Sequence, residues 1–201
     1  MVDRSVEIVM STIALLSLPS KEPDNIDQKD LERVLTPPLL IGQSGPAVII
    51  SSQRDQIEVI TVGNMLNVRD LSGRSDFSGS KVPDVLGFFC SLSTPRLSSY
   101  GVNFIIAIPR LEPEQWIRDN ILAAQISIKT RKTVLGGNAT LKIAAAPKTW
   151  NIKLESVRDN KISVDFSASE DTQEIPNPER LRQEMGEQFE SMLRFLTELG
   201  L

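Results

Sequence analysis

The chain has no histidine in 201 residues and a single cysteine, Cys90. Without histidine there is no side chain that titrates near neutrality unaided, and the commonest transition-metal ligand is missing. Ser-His-Asp and Cys-His catalysis are therefore excluded. One thiol makes no internal disulfide and no structural zinc site by itself, which suits a reducing compartment. Aromatic residues are scarce at 5%, with one Tyr and two Trp, so a base-stacking platform for single-stranded nucleic acid is not expected. Long apolar runs are also missing. Ile8 to Leu18 is broken by Ser11, Thr12 and Ser17, is shorter than the roughly 20 residues that span a bilayer, and lacks a basic region before it and a cleavage site after it. A cytoplasmic location is expected.

What remains is an ordinary globular composition, 40% apolar and 24% charged, with 22 basic and 26 acidic residues and a formal charge of −4. The whole molecule has no long-range pull on nucleic acid or anionic lipid. The charge is nonetheless segregated. Residues 124–161 hold eight Lys or Arg against Glu155 and Asp159, whereas 165–201 hold nine acidic and three basic residues. Such opposed surfaces suit pairing within the molecule, between subunits or with other partners. Lys129, Arg131, Lys132, Lys142, Lys148, Lys153 and Lys161 form the candidate basic patch, on a common sheet face if a phosphate track exists. Solvated strand edges, where lysine blocks strand-to-strand aggregation, are the competing account of the same residues.

Periodicity places the elements. Residues 6–18 suit a strand buried on both faces, and Asp27 caps a short helix through Leu31, Val34 and Leu35 that Pro37-Pro38 ends. Ala47 to Ser51, Gln56 to Val62 and Met65 to Val68 read as three antiparallel strands. The Ser- and Gly-rich stretch Leu71 to Lys81 reads as a mobile surface loop, followed by a helix from Pro83 to Leu92 and a strand from Gly101 to Ile108. A helix opens at Glu112-Pro113, with Leu111 and Trp116 as its hydrophobic staple and Ile117, Ile121 and Ala124 as its inner stripe. Ile126 to Val134 and Leu141 to Ile143 suggest strands joined at Gly136-Gly137. Strict alternation in Trp150-Ile152-Leu154 and Ile162-Val164-Phe166 marks a hairpin around Arg158-Asp159-Asn160. The last helix has Asn177 as cap, Pro178 in the first turn and Gly200 after its end, and Leu181, Met185, Phe189, Met192, Leu196 and Leu199 draw its apolar stripe.

The motifs are weak. Ser78-Gly79-Ser80-Lys81 matches S-x-x-K without the companion motifs of serine acyl-enzymes, and Ser80 between Gly79 and Lys81 breaks the phosphate-loop spacing. Glu184, Glu187 and Glu190 are assigned to a solvated helix face opposite the stripe. Cys90, after Phe88-Phe89, is read as buried packing. Asn138-Ala139-Thr140 spells a glycosylation sequon without a secretory signal. No catalytic, metal or cofactor-binding residue is assigned, and no enzyme is expected.

Tyr100-Gly101-Val102-Asn103-Phe104-Ile105 and the closing Phe189 to Leu201 helix resemble a sporadically distributed prokaryotic family of uncharacterised α+β proteins. The resemblance implies an intracellular α+β protein and transfers no functional residue. The fold expected is α+β in one domain, 1–201: a twisted antiparallel sheet with helices packed on one face. Its element order admits two related β-α-β-β-β-α halves, 1–98 and 99–201. The expected function is a non-enzymatic protein–protein interaction or assembly protein with a protein partner or self-association. The alternative is a nucleic-acid-associated accessory subunit using the basic face. No membrane partner is expected.

Overall fold

In a computed structural model, residues 6–16, 28–91, 99–122, 138–172 and 174–201 are described. The strands are β1 (Glu7–Leu16), β2 (Leu39–Ser44), β3 (Ala47–Ser52), β4 (Ile57–Val62), β5 (Met65–Asp70), β6 (Ser99–Pro109), β7 (Ala139–Ala145), β8 (Lys148–Val157) and β9 (Lys161–Asp171). They form one sheet in the order β2-β3-β4-β5-β1-β6-β9-β8-β7, antiparallel at every step. Its helices are α1 (Gln28–Leu31), α2 (Val82–Ser91), α3 (Pro113–Ile117) and α4 (Pro178–Glu198), with a π-helical turn at Arg118–Leu122. The molecule is thus α+β, mostly one large antiparallel sheet.

Two meanders, β2 to β5 and β7 to β9, flank the central pair β1 and β6. Tight turns make the meanders. Gly45 and Gly63 take left-handed φ between β2 and β3 and between β4 and β5, and Asp159 and Asn160 do so between β8 and β9. The long β1–β6 ladder carries a bulge between Ile8 and Met10, which leaves Val9 half exposed.

Alternation sorts each strand into two faces. Ile13 and Leu15 of β1, Leu66 and Val68 of β5, Val102, Phe104 and Ile106 of β6, Ile152 and Leu154 of β8, and Val164 and Phe166 of β9 lie in register on one face and are buried. α4 lies on that face. Phe189 meets Phe104 edge-on at 5.3 Å, and Phe195 meets Trp150 at 6.2 Å. Leu181, Met185, Phe189, Met192 and Leu196 of its stripe are buried, while Leu199 is only partly so. Each fully buried side chain of this size contributes about 1.5–3 kcal/mol.

The α4 ends follow the sequence. Asn177 accepts a hydrogen bond from the Arg180 amide at 2.9 Å, and Pro178 opens the first turn. At the other end the Leu201 amide donates to the Leu196 carbonyl and the Gly200 amide to that of Thr197, with Gly200 at φ 84°, a Schellman stop. α2 touches α4, β1 and β5, and Arg182 of α4 pairs with Asp84 of α2 and donates to the Ser80 carbonyl.

Four expectations change. The Leu71 to Lys81 stretch is anchored rather than wholly superficial: Phe77 is buried against Phe104 and Phe189 at 5.4 and 5.5 Å. Leu111 is 81% exposed, so the staple does not form; Glu112 enters α3 with left-handed φ, which turns Leu111 out, and Trp116 packs under Arg110 instead. α3 is five residues long and passes into a π-helical turn, so an α-helical stripe does not continue past Ile117. β2, not expected from sequence, forms directly after Pro37-Pro38. Asp27, Leu92, Ala124 and the Ile126 to Val134 strand lie outside the described residues.

Candidate functional site

Of the basic patch, Lys129, Arg131 and Lys132 lie outside the described residues. Lys142 and Lys153 flank Asn151 in register and on strand respectively, and Lys153 pairs across to Asp165, which shares a face with Lys161. These three lysines therefore share the sheet face opposite α4. Lys153 makes an ion pair with Glu155 at 2.8 Å and Lys161 with Glu7 at 2.7 Å. Lys148 has the parity of Trp150, Ile152 and Leu154, so it projects to the α4 face and is buried.

There Lys148 Nζ meets Glu184 of α4, Glu170 of β9 at 3.1 Å and the Tyr100 hydroxyl of β6 at 3.3 Å, and it lies 4.7 Å from the centre of the Tyr100 ring. Tyr100 in turn donates to Glu184 at 2.7 Å. Burial, reinforced by its hydrogen bond to Glu184 and the nearby carboxylate charges, pushes the Tyr100 phenol far above its ordinary value. It is held as a hydrogen-bond donor, not as a base. Glu184, expected on a solvated face, is 3% exposed and closes this cluster. Three strands and a helix thus meet at one group of polar atoms with every partner inside the molecule.

A second cluster lies at the edge of the first meander. Asp55, in the β3–β4 turn, accepts from the Thr36 amide at 2.5 Å, the Thr36 hydroxyl at 2.8 Å, the Ser52 hydroxyl at 3.2 Å and Lys81 Nζ at 2.7 Å. Burial raises its pKa, but the hydrogen bonds from Lys81 and Thr36 outweigh that and hold it at about 2. Lys81 thus serves Asp55, and Ser78 donates its amide to Asp76.

Open clefts lined by the described residues include two. One, of about 640 Å³, lies between Ser75–Ser78 and the Glu179 to Glu190 face of α4 and includes Arg182. The other, of about 450 Å³, runs between α3 and the β8–β9 turn, past Glu112, Arg118 and Asp159. Among the described residues no group of three or more His, Cys, Asp or Glu is placed to hold a metal ion. Burial pushes the Cys90 thiol up to about 11, so it carries little thiolate at neutrality.

The edges of the sheet differ. β7, outermost of the described strands on one side, alternates in burial and carries Lys142 at mid-strand. β2, outermost on the other, is Leu39-Leu40-Ile41-Gly42-Gln43-Ser44, with Leu40 and Ile41 each 56% exposed on opposite faces. An uncharged edge with open backbone groups is a template for another strand.

Sequence reasoning missed Glu184, Asp55 and β2. The parity of β8 carried a signal for the first: a lysine in step with Trp150, Ile152 and Leu154 has to point to the core side and needs a buried carboxylate. No helix among the described residues is long and apolar enough to cross a membrane. No protein-family model and no curated protein matches the chain.

Proposed function

We propose that the protein acts by association, as a non-enzymatic interaction or assembly protein. The observation that carries this reading is β2, an outermost strand among those described, whose Leu40 and Ile41 remain 56% exposed. A monomer that never paired there would be expected to carry a lysine, a proline or a bulge in mid-strand. Consistent with it, the ionisable side chains around Lys148 and around Asp55 are engaged in hydrogen bonds and ion pairs with one another.

The reading includes an architecture. All helices are inferred to lie on the α4 side, supported by the contacts of α2 with α4 and of α4 with β6. The halves are inferred to share one plan, a leading strand, a short helix, a meander returning to that strand, and a closing helix. In support, β5 returns to β1 before α2 as β9 returns to β6 before α4. The opposite sheet face then stays free of helices.

The test is sedimentation of the purified chain over a wide concentration range, alongside affinity capture with the tagged chain. Assembly or a specific complex supports the reading. A monomer at every concentration together with empty capture overturns it.

A nucleic-acid-associated role ranks second. Lys142, Lys153 and Lys161 share a face, but Glu155 and Glu7 neutralise two of them. That role requires affinity for RNA or DNA that falls steeply with salt and is lost when Lys142 and Lys153 are reversed to Glu.

A further inference from the structure

The interaction reading leaves the partner open, and β2 constrains it. From Val34 to Gln53 there is no charged residue, in a chain that is 24% charged. The hairpin of β2 and β3 lies wholly within this span. A partner of opposite charge would be met by ionisable residues on the strand, and there are none. A second copy imposes the reverse demand. A two-fold axis sets each residue against one from the same strand and the residue on the axis against itself, so a charge at the centre of the strand would face its own kind. Both copies carry the same net charge of −4, and a neutral meeting edge lets them approach without setting like charges against each other at the seam.

We propose that β2 pairs antiparallel with β2 of a second copy of this chain, Ile41 opposite Ile41, so that the two sheets become one. This rests on the interaction reading above and names its partner. The register follows from shape. With Ile41 on the axis, Leu40 of one copy faces Gly42 of the other, and space beside Gly42 is open: a Cβ placed there meets no heavy atom within 4 Å. Leu40 of the second copy fills that space. Residues opposite each other share a face, so the pairing also brings both α4 sides to the same side of the joined sheet. Alternate residues of β2 turn their N–H and C=O groups away from β3, and these supply the new ladder.

Six residues from each copy cover less than the roughly 1,200–2,000 Å² of a standard interface, so the dimer is weak and concentration-dependent. It forms by edge alignment of two preformed sheets and requires no refolding.

Sedimentation equilibrium on the full chain from about 1 to 300 µM tests this, spanning the range of weak dimers. Wild type is expected to pass from monomer to dimer. Ile41→Lys is expected to weaken the dimer at least about tenfold, with its circular dichroism and melting unchanged because Ile41 is exposed, whereas Lys142→Glu on the opposite edge leaves it intact. In a Cys90→Ser background, Ile41→Cys is expected to close an intermolecular disulfide under mild oxidation, since directly opposed residues fall within disulfide reach. A wild type monomeric throughout, or an Ile41→Lys chain that dimerises like wild type, overturns the proposal. If that monomer still captures a specific protein, or the Ile41→Lys dimer persists, this interface falls and the interaction reading stands. If the monomer captures nothing, both fall.

Discussion

Lys148 and Lys81 each meet a carboxylate within hydrogen-bonding reach, yet they hold their surroundings in different ways. The Lys148 side chain is 8% exposed and its Glu184 partner 4%, whereas Lys81 is 47% exposed above an Asp55 that is 8% exposed. Glu184 is held by Lys148 and Tyr100. Asp55 is also served by the Thr36 amide, the Thr36 hydroxyl and Ser52. A charge deep in the fold is only as safe as its least replaceable partner. At the rim, neutral donors and water stand in for a lost lysine.

Lifting α4 off the sheet is the harshest way to break the contrast. Phe189→Asp sets a carboxylate among Phe77 and Phe104, and no folded protein is expected by circular dichroism or sedimentation. A variant melting like the parent would refute the seating of α4. Next, Glu184→Ala takes the buried carboxylate from Lys148 and leaves it Glu170, a partner 29% exposed, and is expected to cost about 1–3 kcal/mol in denaturant unfolding. A loss under about 1 kcal/mol would mean that the two clusters are equivalent.

Asp55→Asn sharpens the comparison through pH. The carboxyl is held at about 2 in the folded chain against 3.8 for an unperturbed aspartate. A depressed folded value stabilises the native state above about pH 4, and that contribution is lost as pH falls through about 2. The stability difference between wild type and Asp55→Asn should therefore be constant at neutral pH and shrink between about pH 4 and 2. A difference that does not change over that window would show that the charge of Asp55 is not what its donors hold. The smallest effect belongs to Lys81→Met, at most about 1 kcal/mol by the same denaturation, because Lys81 is half exposed and Asp55 keeps its other donors.

Legibility in the sequence tracks one-sided burial. α4 and the β8–β9 hairpin were readable because each has one face against the core and one in solvent, which writes a period of 3.6 or 2 into the residues. β2 has no such period. At the sheet's rim both its faces are open, and Leu-Leu-Ile beside two prolines looks like a loop. Phe77 was hidden because one aromatic in a Ser- and Gly-rich stretch has no period at all. Lys148 and Glu184 were each visible, but 36 residues and a strand separate them, and only the fold brings them together. The resemblance to a prokaryotic family stands as an inference from local motifs in β6 and α4.

The place of β1 at the middle of the sheet sets an order of events on the ribosome. The strand emerges before both its neighbours, gaining the first at Met65–Asp70 and the second at Ser99–Pro109. Until then a mostly apolar ribbon waits with a side unsatisfied, and the meander β7–β9 cannot join before β6 is in place. The longer the interval between those points, the longer that ribbon is open to pairing with a neighbouring nascent copy.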